Sequence, residues 1–485
     1  MRTLECGGGI SYNIRRMEQV PELLNGRLMA ALDGEVRAAA LDIARLVRAA
    51  GGRALMVGGA VRDLMLGGTV KDIDIEVFGV APDRLKAALA GRFDFDPCGV
   101  AFGVLKLRQF PIDVSLPRRE SKSGLGHRAF DIASDPSLTV AEAARRRDFT
   151  INAMYFDPLD GTFEDPYGGA ADLPRKILRP VSPAFTEDPL RVLRGMQFVA
   201  RFDLTPADET VAVCRTMTPE GLARERLFEE WSKLLLKGVK ISKGLDFLRQ
   251  TGWVQYAPEL AALIGCEQAP EWHPEGDVWN HTCCCLDAFA ATRLGDRDED
   301  LTVGLAVLCH DFGKPATSRF DPRKGRITSK GHDEAGVAPT RAFLERLTNE
   351  ERLLKDVPPL VQLHMRPFAM WKAGSSDASI RRLAAKVTRI DRFPGGGGGR
   401  AAGAPPFPPQ PEHLAWLAAA AERLRIADAA PKPILMGRHL IEMGLKPSAR
   451  FGEILDKCFE AQLDGAFADL PGALAYGRRL LEANG

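Results

Sequence analysis

"LMVGGAVRDLMLGGTVKDIDIEVFG", residues 55–79, sets two glycines, an Arg-Asp pair and two aspartates one residue apart against an apolar run. Its tail, from Asp72 through Ile73, Asp74 and Ile75 to Phe78, alternates polar and apolar with the two-residue period of a strand. Side chains at i and i+2 of a strand share a face. Asp72 and Asp74 are therefore expected to project together, with Ile73 and Ile75 turned into a core. Two carboxylates side by side repel, and a hard divalent cation between them removes the repulsion.

Working outward, residues 54–57 read as a strand, Gly58-Gly59 as a turn and residues 63–66 as part of a helix. Helical spacing from Glu35 to Ala50 ends at Gly51-Gly52, and residues 104–107 and 112–115 read as two further strands. The result is a small mixed sheet with helices, an α+β arrangement. Beyond about Pro183 the strand signals fade. Residues 189–201, 222–236 and 301–309 carry helical periodicity, and the remainder is expected to be all-helical. Residues before about Leu32 show little pattern and are expected to form a partly disordered extension. Residues 392–413 are rich in glycine and proline and read as a linker.

At 485 residues the chain exceeds one core, and several domains follow. Hydrophobic content of 45% with 27% charged residues is that of an ordinary globular protein, and no apolar run is long enough to span a membrane. The N-terminus carries no signal-peptide pattern. Lys+Arg of 65 against Asp+Glu of 64 confines any nucleic-acid contact to local basic patches. The nine cysteines lack the spacing of a disulfide framework or a CxxC zinc site. Consecutive Cys283, Cys284 and Cys285 read as small apolar residues of a buried helix in a reducing cytoplasm.

A carboxylate pair on one strand suits two magnesium ions about 4 Å apart, which activate an attacking hydroxyl and neutralise a triphosphate. Gly58 and Gly59 let the backbone approach phosphates, with the following helix N-terminus aimed at the anion. Arg62 is placed to clamp a phosphate or to pair with Asp63. Asp113, in the alternating run Phe-Pro-Ile-Asp-Val-Ser, sits on a candidate neighbouring strand and is the candidate third carboxylate.

Three further blocks follow in order: "ARRRDFTINAMYFDP" at 144–158, "EDPLRVLRGMQFVARF" at 187–202 and "RERLFEEWSKLLL" at 224–236. With the opening stretch they resemble the class II tRNA nucleotidyltransferases and bacterial poly(A) polymerases of the polymerase β-like nucleotidyltransferase superfamily. The resemblance implies a nucleotidyltransferase head with Asp72, Asp74 and Asp113 as catalytic residues and Mg2+ as cofactor. It also implies that Arg147, Asp148 and Asn152 bind nucleotide.

The helix beginning near Glu187 also has a physical reading. Thr186 is the expected N-cap, Pro189 is tolerated in the first turn, and Asp188, Arg191 and Arg194 share a face at i,i+3 spacing. A carboxylate only accepts hydrogen bonds and a guanidinium only donates. An Asp-plus-Arg pair matches the amino group and ring nitrogen shared by cytosine and adenine, and mismatches guanine and uracil. Basic runs at Arg118-Arg119 and at residues 145–147 flank "ESKSGLGHR", which reads as a loop near primer or triphosphate. In the resembled family this region assists the change from C to A addition.

A second constellation comprises His281, His310-Asp311 in "LCHDFGKP", His332 and His364. It suits a borderline divalent metal and resembles the HD phosphohydrolase domain. The resemblance departs at residues 394–400, where a glycine tract stands in place of a carboxylate-bearing run, leaving Asp391 as the candidate substitute. Residues 433–465 resemble a C-terminal helical module that holds tRNA by shape and phosphates.

These readings divide the chain into an extension (1–34), a head (35–182), a helical neck (183–270), an HD domain (271–391), a linker (392–413) and a C-terminal module (414–485). The implied activity is addition of C, C and A from CTP and ATP to the 3′ end of tRNA, with no membrane partner. Poly(A) polymerase, a CC- or A-adding enzyme, an HD metal-dependent phosphohydrolase and a non-catalytic RNA-binding role are the alternatives.

Overall fold

The computed structural model describes residues 20–96, 104–122, 130–393, 412–448 and 450–482. It contains two compact units, residues 1–223 with 250–252 and residues 224–249 with 253–485.

In the first unit, α1 (Val20–Ala31) and α2 (Gly34–Ala49) precede β1 (Arg53–Val57), α3 (Gly59–Leu66) and β2 (Ile73–Phe78). Then come β3 (Val104–Lys106), β4 (Ile112–Ser115), β5 (Arg118–Lys122), β6 (Phe130–Ser134), β7 (Tyr155–Phe156) and β8 (Phe163–Glu164). A six-stranded sheet has the order β3-β4-β2-β1-β7-β8, with β2 antiparallel to β1 and parallel to β4. Ala54 through Val57 are all buried, so β1 is covered on both faces. Leu55, Val57, Phe78, Ala143 and Tyr155 form part of one core cluster. Ile73 and Ile75 are buried as their alternation required.

In this unit the structure corrects four expectations. Residues 20–31 are helical, because Val20, Leu24 and Leu28 recur every fourth residue and bury an apolar stripe. That helix packs on α3, and Arg27 donates to the Leu64 carbonyl at 3.0 Å near the α3 C-terminus. Asp72 lies one residue before β2, not within it. Arg118 and Arg119 belong to β5, which pairs antiparallel with β6; residues 123–129 of the quoted loop lie outside the described residues.

The fourth concerns α4 (Leu190–Phe202), which follows a 3-10 turn at Pro183–Glu187. Thr186 does not cap it, since its hydroxyl donates to the Pro183 carbonyl at 3.1 Å. Asp188 has extended backbone, and its Oδ1 accepts from the Leu190 amide at 3.0 Å, so the aspartate side chain satisfies the first turn.

The second unit is built on α5 (Arg224–Lys237), α6 (Val278–Ala291), α7 (Arg297–Cys309), α8 (Val337–Leu347) and α9 (Glu351–Leu363). The α7 helix is capped by Asp296, whose carboxylate accepts from the Asp298 and Glu299 amides, and it packs on α5, α6 and α9. The unit is not all-helical. Arg319–Asp321 and Arg326–Thr328 form an antiparallel hairpin, closed by a turn in which Gly325 has a φ of 64°. Toward the C-terminus, Leu435, Leu440, Ile454, Cys458 and Ala473 form a small core of their own among three helices. Most of the glycine- and proline-rich stretch, residues 394–411, lies outside the described residues. Among the described residues no helix is long and apolar enough to cross a membrane.

Candidate active site

Parallel pairing of β2 with β4 sets Asp74 opposite Asp113, and antiparallel pairing with β1 sets Asp74 opposite Val57. The chain leaves β1 at Gly58 with a φ of 72°, a conformation that disfavours any residue with a side chain. A Cβ there would stand 3.4 Å from Arg147 Nη1 and 3.6 Å from Asp74 Oδ2. Gly58, Asp74 and Arg147 therefore meet at one point, with exposed Asp72 just before β2. Asp113 Oδ2 pairs with Lys106 Nζ at 3.3 Å on the adjoining strand. Asp74 keeps contact with solvent although protein surrounds it. Desolvation raises its carboxyl pKa, Arg147 pulls it down, and Asp113, Asp72 and Glu76 push it up; the net shift is upward.

Glu76, two residues further along β2, is fully buried. Its Oε1 accepts from Arg146 at 2.7 Å, and its Oε2 accepts from Arg147 at 3.2 Å and from the Tyr155 hydroxyl at 2.9 Å. Burial alone would raise the Glu76 carboxyl, but Arg147 and Arg146 hold it below the ordinary range. Burial pushes the Tyr155 hydroxyl up to about 12, with Glu76 adding to the rise against Arg147.

Behind this layer, buried Arg62 donates to Asp63 Oδ1 at 2.9 Å and to Asn152 Oδ1 at 2.6 Å, and lies 4.4 Å above the Phe202 ring. Asn152 donates to Asp148 Oδ1 at 3.1 Å, and Arg194 donates to Asp148 Oδ2 at 2.7 Å. Burial opposes charge on Asp148, but Arg194 leads the contacts that hold its pKa low. Arg191 donates to the carbonyls of Ala184 at 2.6 Å and Arg146 at 2.5 Å. The α4 helix is thus bonded directly to the loop that carries Arg147.

In the second unit, four histidines converge on Asp311 around a cavity of about 350 Å3. His310 Nε2 is 3.1 Å and His281 Nε2 3.7 Å from Asp311 Oδ2, and His332 Nε2 is 3.5 Å from Oδ1. His332 and His364 face each other, Nε2 to Nε2, at 3.1 Å. Each Nδ1 is turned to an oxygen: His310 to the Val307 carbonyl, His332 to that of Ser329 and His364 to that of Val361, all at 2.7 Å, and His281 to Glu275 Oε1 at 2.6 Å. With Nδ1 carrying the proton, every Nε2 offers its lone pair to the centre, the orientation found in metal-binding histidines. Asp311 is enclosed and neither oxygen accepts a well-aligned hydrogen bond, although Lys314 Nζ lies 2.7 Å from Oδ2. Burial disfavours its charge, yet His310 and Lys314 hold its pKa well below the usual carboxylate range. Glu275, hydrogen-bonded to His281 and His273, is held at about 2 against the opposing effect of burial.

A family profile described as the Poly A polymerase head domain matches residues 54–179. The "Multifunctional CCA protein" of Halorhodospira halophila is 39% identical over 313 residues, 63% of this chain and 71% of that protein. The chain belongs to the class II CCA-adding enzyme family. A second member, the "Multifunctional CCA protein" of Xylella fastidiosa strain M23, is 39% identical over 61% of this chain and 70% of its own length. Among solved structures, the Bacillus stearothermophilus CCA-adding enzyme in complex with CTP aligns over 94% of this chain and all of that one, at 23% identity and a TM-score of 0.60. The Thermotoga maritima CCA-adding enzyme complexed with tRNA covers 94% and 98% at 19% identity and a TM-score of 0.57. At these identities the likeness is one of fold. As a family member the chain is a nucleotidyltransferase.

The structure of this CCA-adding family member brings together Gly58, Asp72, Asp74, Asp113 and Arg147, and brings together separately His281, His310, Asp311, His332 and His364. It turns Arg62 inward onto Asp63, Asn152 and Phe202, with Gly59 packed over it, so the guanidinium is bound within the fold. Asp391 does not join the histidine centre, because both its oxygens are taken by Arg389 at 2.9 and 2.6 Å. Four residues at these sites escaped the sequence reading, though each carried a spacing signal. Glu76 is the third acid of the Asp72-Asp74 alternation. Glu275 follows His273 by two residues, Lys314 follows Asp311 by three, and Cys285 follows His281 by four, one helical turn.

Proposed function

We propose that the chain extends tRNA lacking its 3′ end with C, C and A, drawing on CTP and ATP and releasing pyrophosphate, without a nucleic-acid template. The observation that carries this reading is the register pairing of Asp74 with Asp113 beside Gly58 and Arg147, in a member of this enzyme family. The carboxylates of Asp72, Asp74 and Asp113 fit a divalent cation, because the register pairing sets Asp74 beside Asp113 with Asp72 two residues away, and a cation offsets both the desolvation that raises Asp74 and the like charges that add to it. Asp72 and Asp74 would hold Mg2+, which would supply charge neutralisation for the triphosphate and activation of the attacking 3′-hydroxyl.

The remaining work falls to the chain's own groups. Gly58 admits the triphosphate close to the backbone, with the N-terminus of α3 oriented toward it. Arg147, held by Glu76 and Tyr155, sets a fixed positive charge beside Asp74 for the phosphates. Asp188 accepts from the amino group shared by cytosine and adenine, and Arg191, whose Nη1 and Nη2 each already donate to a backbone carbonyl, offers its remaining N–H groups to the ring-nitrogen edge. Asp148, Asn152 and Arg194 brace that helix against the head. The tRNA is held through phosphates and shape in the cytoplasm.

The histidine centre favours a second divalent metal, a transition ion bound by His281, His310 and Asp311 with His332 and His364 alongside. Convergent Nε2 lone pairs and a buried carboxylate fit such an ion. When bound, it supplies a Lewis acid toward a phosphate ester.

Purified protein with Mg2+ is to be offered tRNA transcripts ending before the first C, the second C and the A, with each nucleotide triphosphate separately. Completion of CCA on the shortest transcript is expected. Open-ended A tracts would instead indicate a poly(A) polymerase, and C-only or A-only addition a split activity.

A further inference from the structure

The histidine centre contains a donor with no assigned role. Cys285 stands one turn beyond His281 on α6, and its Sγ lies 3.5 Å from His281 Nε2. Cys285 Sγ, His281 Nε2 and His310 Nε2 all fall within 4.8 Å of one another. A tetrahedral ion with bonds of about 2.0–2.3 Å sets its donors roughly 3.3–3.7 Å apart. The separations of His281 Nε2 from Cys285 Sγ, of His310 Nε2 from Asp311 Oδ2 and of His281 Nε2 from Asp311 Oδ2, at 3.5, 3.1 and 3.7 Å, approach that spacing. A second, independent observation points to a cation: the enclosed Asp311 carboxylate, in the lining of the cavity shared with His281 and His310, lacks a well-aligned hydrogen bond on either oxygen, with Lys314 Nζ 2.7 Å from Oδ2. The carboxylate expected to complete the set, Asp391, is bound to Arg389 instead.

We propose that Cys285 is a thiolate ligand of the metal at this centre, completing a set of His281, His310 and Asp311, so that the site selects zinc-like ions over magnesium. The proposal rests on the reading of the histidine cluster as a metal centre. Thiolate is a soft donor that favours zinc, cobalt and their neighbours, whereas an all-oxygen and nitrogen set leaves harder ions competitive. On binding, the metal–sulfur bond replaces the S–H bond and the proton leaves to solvent. The His281 tautomer is already suited to this exchange, since its Nδ1 proton is directed at Glu275.

The test is a Co2+ titration of the metal-free full-length protein, followed by absorption. The expected result is a near-ultraviolet thiolate-to-cobalt charge-transfer band that saturates with a single tight equivalent. The band persists in Cys284→Ser, the neighbouring half-buried thiol, and disappears in Cys285→Ser. Cys285→Asp binds cobalt without the band and shifts preference toward Mn2+. Zn2+ affinity of Cys285→Ser falls by at least about 10-fold, the least that outer-sphere changes cost such sites. If wild type binds cobalt with ligand-field bands alone, or Cys285→Ser keeps the charge-transfer band, the cysteine assignment is wrong and the histidine centre survives. Absence of any tight cobalt binding to wild type overturns both.

Discussion

Asp74 of β2 and Asp113 of β4 lie side by side in a parallel register, so two carboxylates distant in sequence share one face of the sheet. Their repulsion in the absence of a cation is a measurable liability.

Asp74→Asn should separate chemistry from stability. The folded pKa of Asp74 is raised, so its contribution to stability is present at low pH and lost as pH rises through the folded value. Near neutral pH without divalent ions the variant should therefore melt no lower than wild type, while nucleotide incorporation falls at least about 10³-fold. Added Mg2+ should raise the melting temperature of wild type more than that of the variant. Full incorporation by Asp74→Asn would falsify the assignment.

Glu76→Gln should lower stability by about 2–3 kcal/mol, the cost of replacing hydrogen bonds to charged partners with neutral ones. In a unit of this size that corresponds to a melting temperature lower by roughly 4–12 °C. Because Arg147 is shared between Glu76 and the Asp74 edge, kcat should fall more than KM rises. A proportional change in both would mean that the residue supports the fold alone.

Glu76 and Asp148 have lowered folded pKa values, so their contribution to stability is present above the unfolded values near 4.5 and 3.8 and is lost as pH falls through the folded ones. Acid unfolding of the first unit should steepen below about pH 4.5, and Glu76→Gln should flatten that slope. Denaturant melts across this range measure it.

Asp188→Asn keeps an N-capping side chain for α4, so stability should change little. An amide donates as well as accepts, and discrimination of CTP and ATP against UTP and GTP should relax by about 10- to 100-fold. Competition assays on a single tRNA transcript would reveal it; unchanged selectivity would remove Asp188 from base reading.

Lys314→Met leaves the Asp311 carboxylate buried without its cation. The metal-free second unit should lose about 3–5 kcal/mol, and saturating Zn2+ or Co2+ should restore much of that loss. Melting curves with and without metal decide it, and a metal-independent loss would mean that Lys314 serves only packing.

Much of this arrangement was legible because strand alternation and helix period are local. Ile73 and Ile75 had to point inward once Asp72 and Asp74 pointed out, and Gly58 had to follow the first strand. That the strand of Asp113 neighbours β2 was legible, but its register was not, since alternation identifies a strand without fixing its offset against a partner. Thr186 was misread as a cap because Asp188, two residues on, competes for the same amides, and only backbone geometry decides between them. Residues 20–31 read as part of a disordered extension because the stripe of Val20, Leu24 and Leu28 is interrupted by polar residues and Gly26. Cys285 was read as packing because three adjacent cysteines look uniform, whereas a helix points each in a different direction.

Residue 146 is gripped from two sides. Its side chain is bonded to Glu76 on the carboxylate-bearing strand, and its carbonyl to Arg191 on α4. If α4 reads the base and β2 places the reacting phosphates, as proposed, the two tasks are mechanically geared. Any movement of α4 relative to β2 must then carry residue 146 with it, or one of these two bonds must let go.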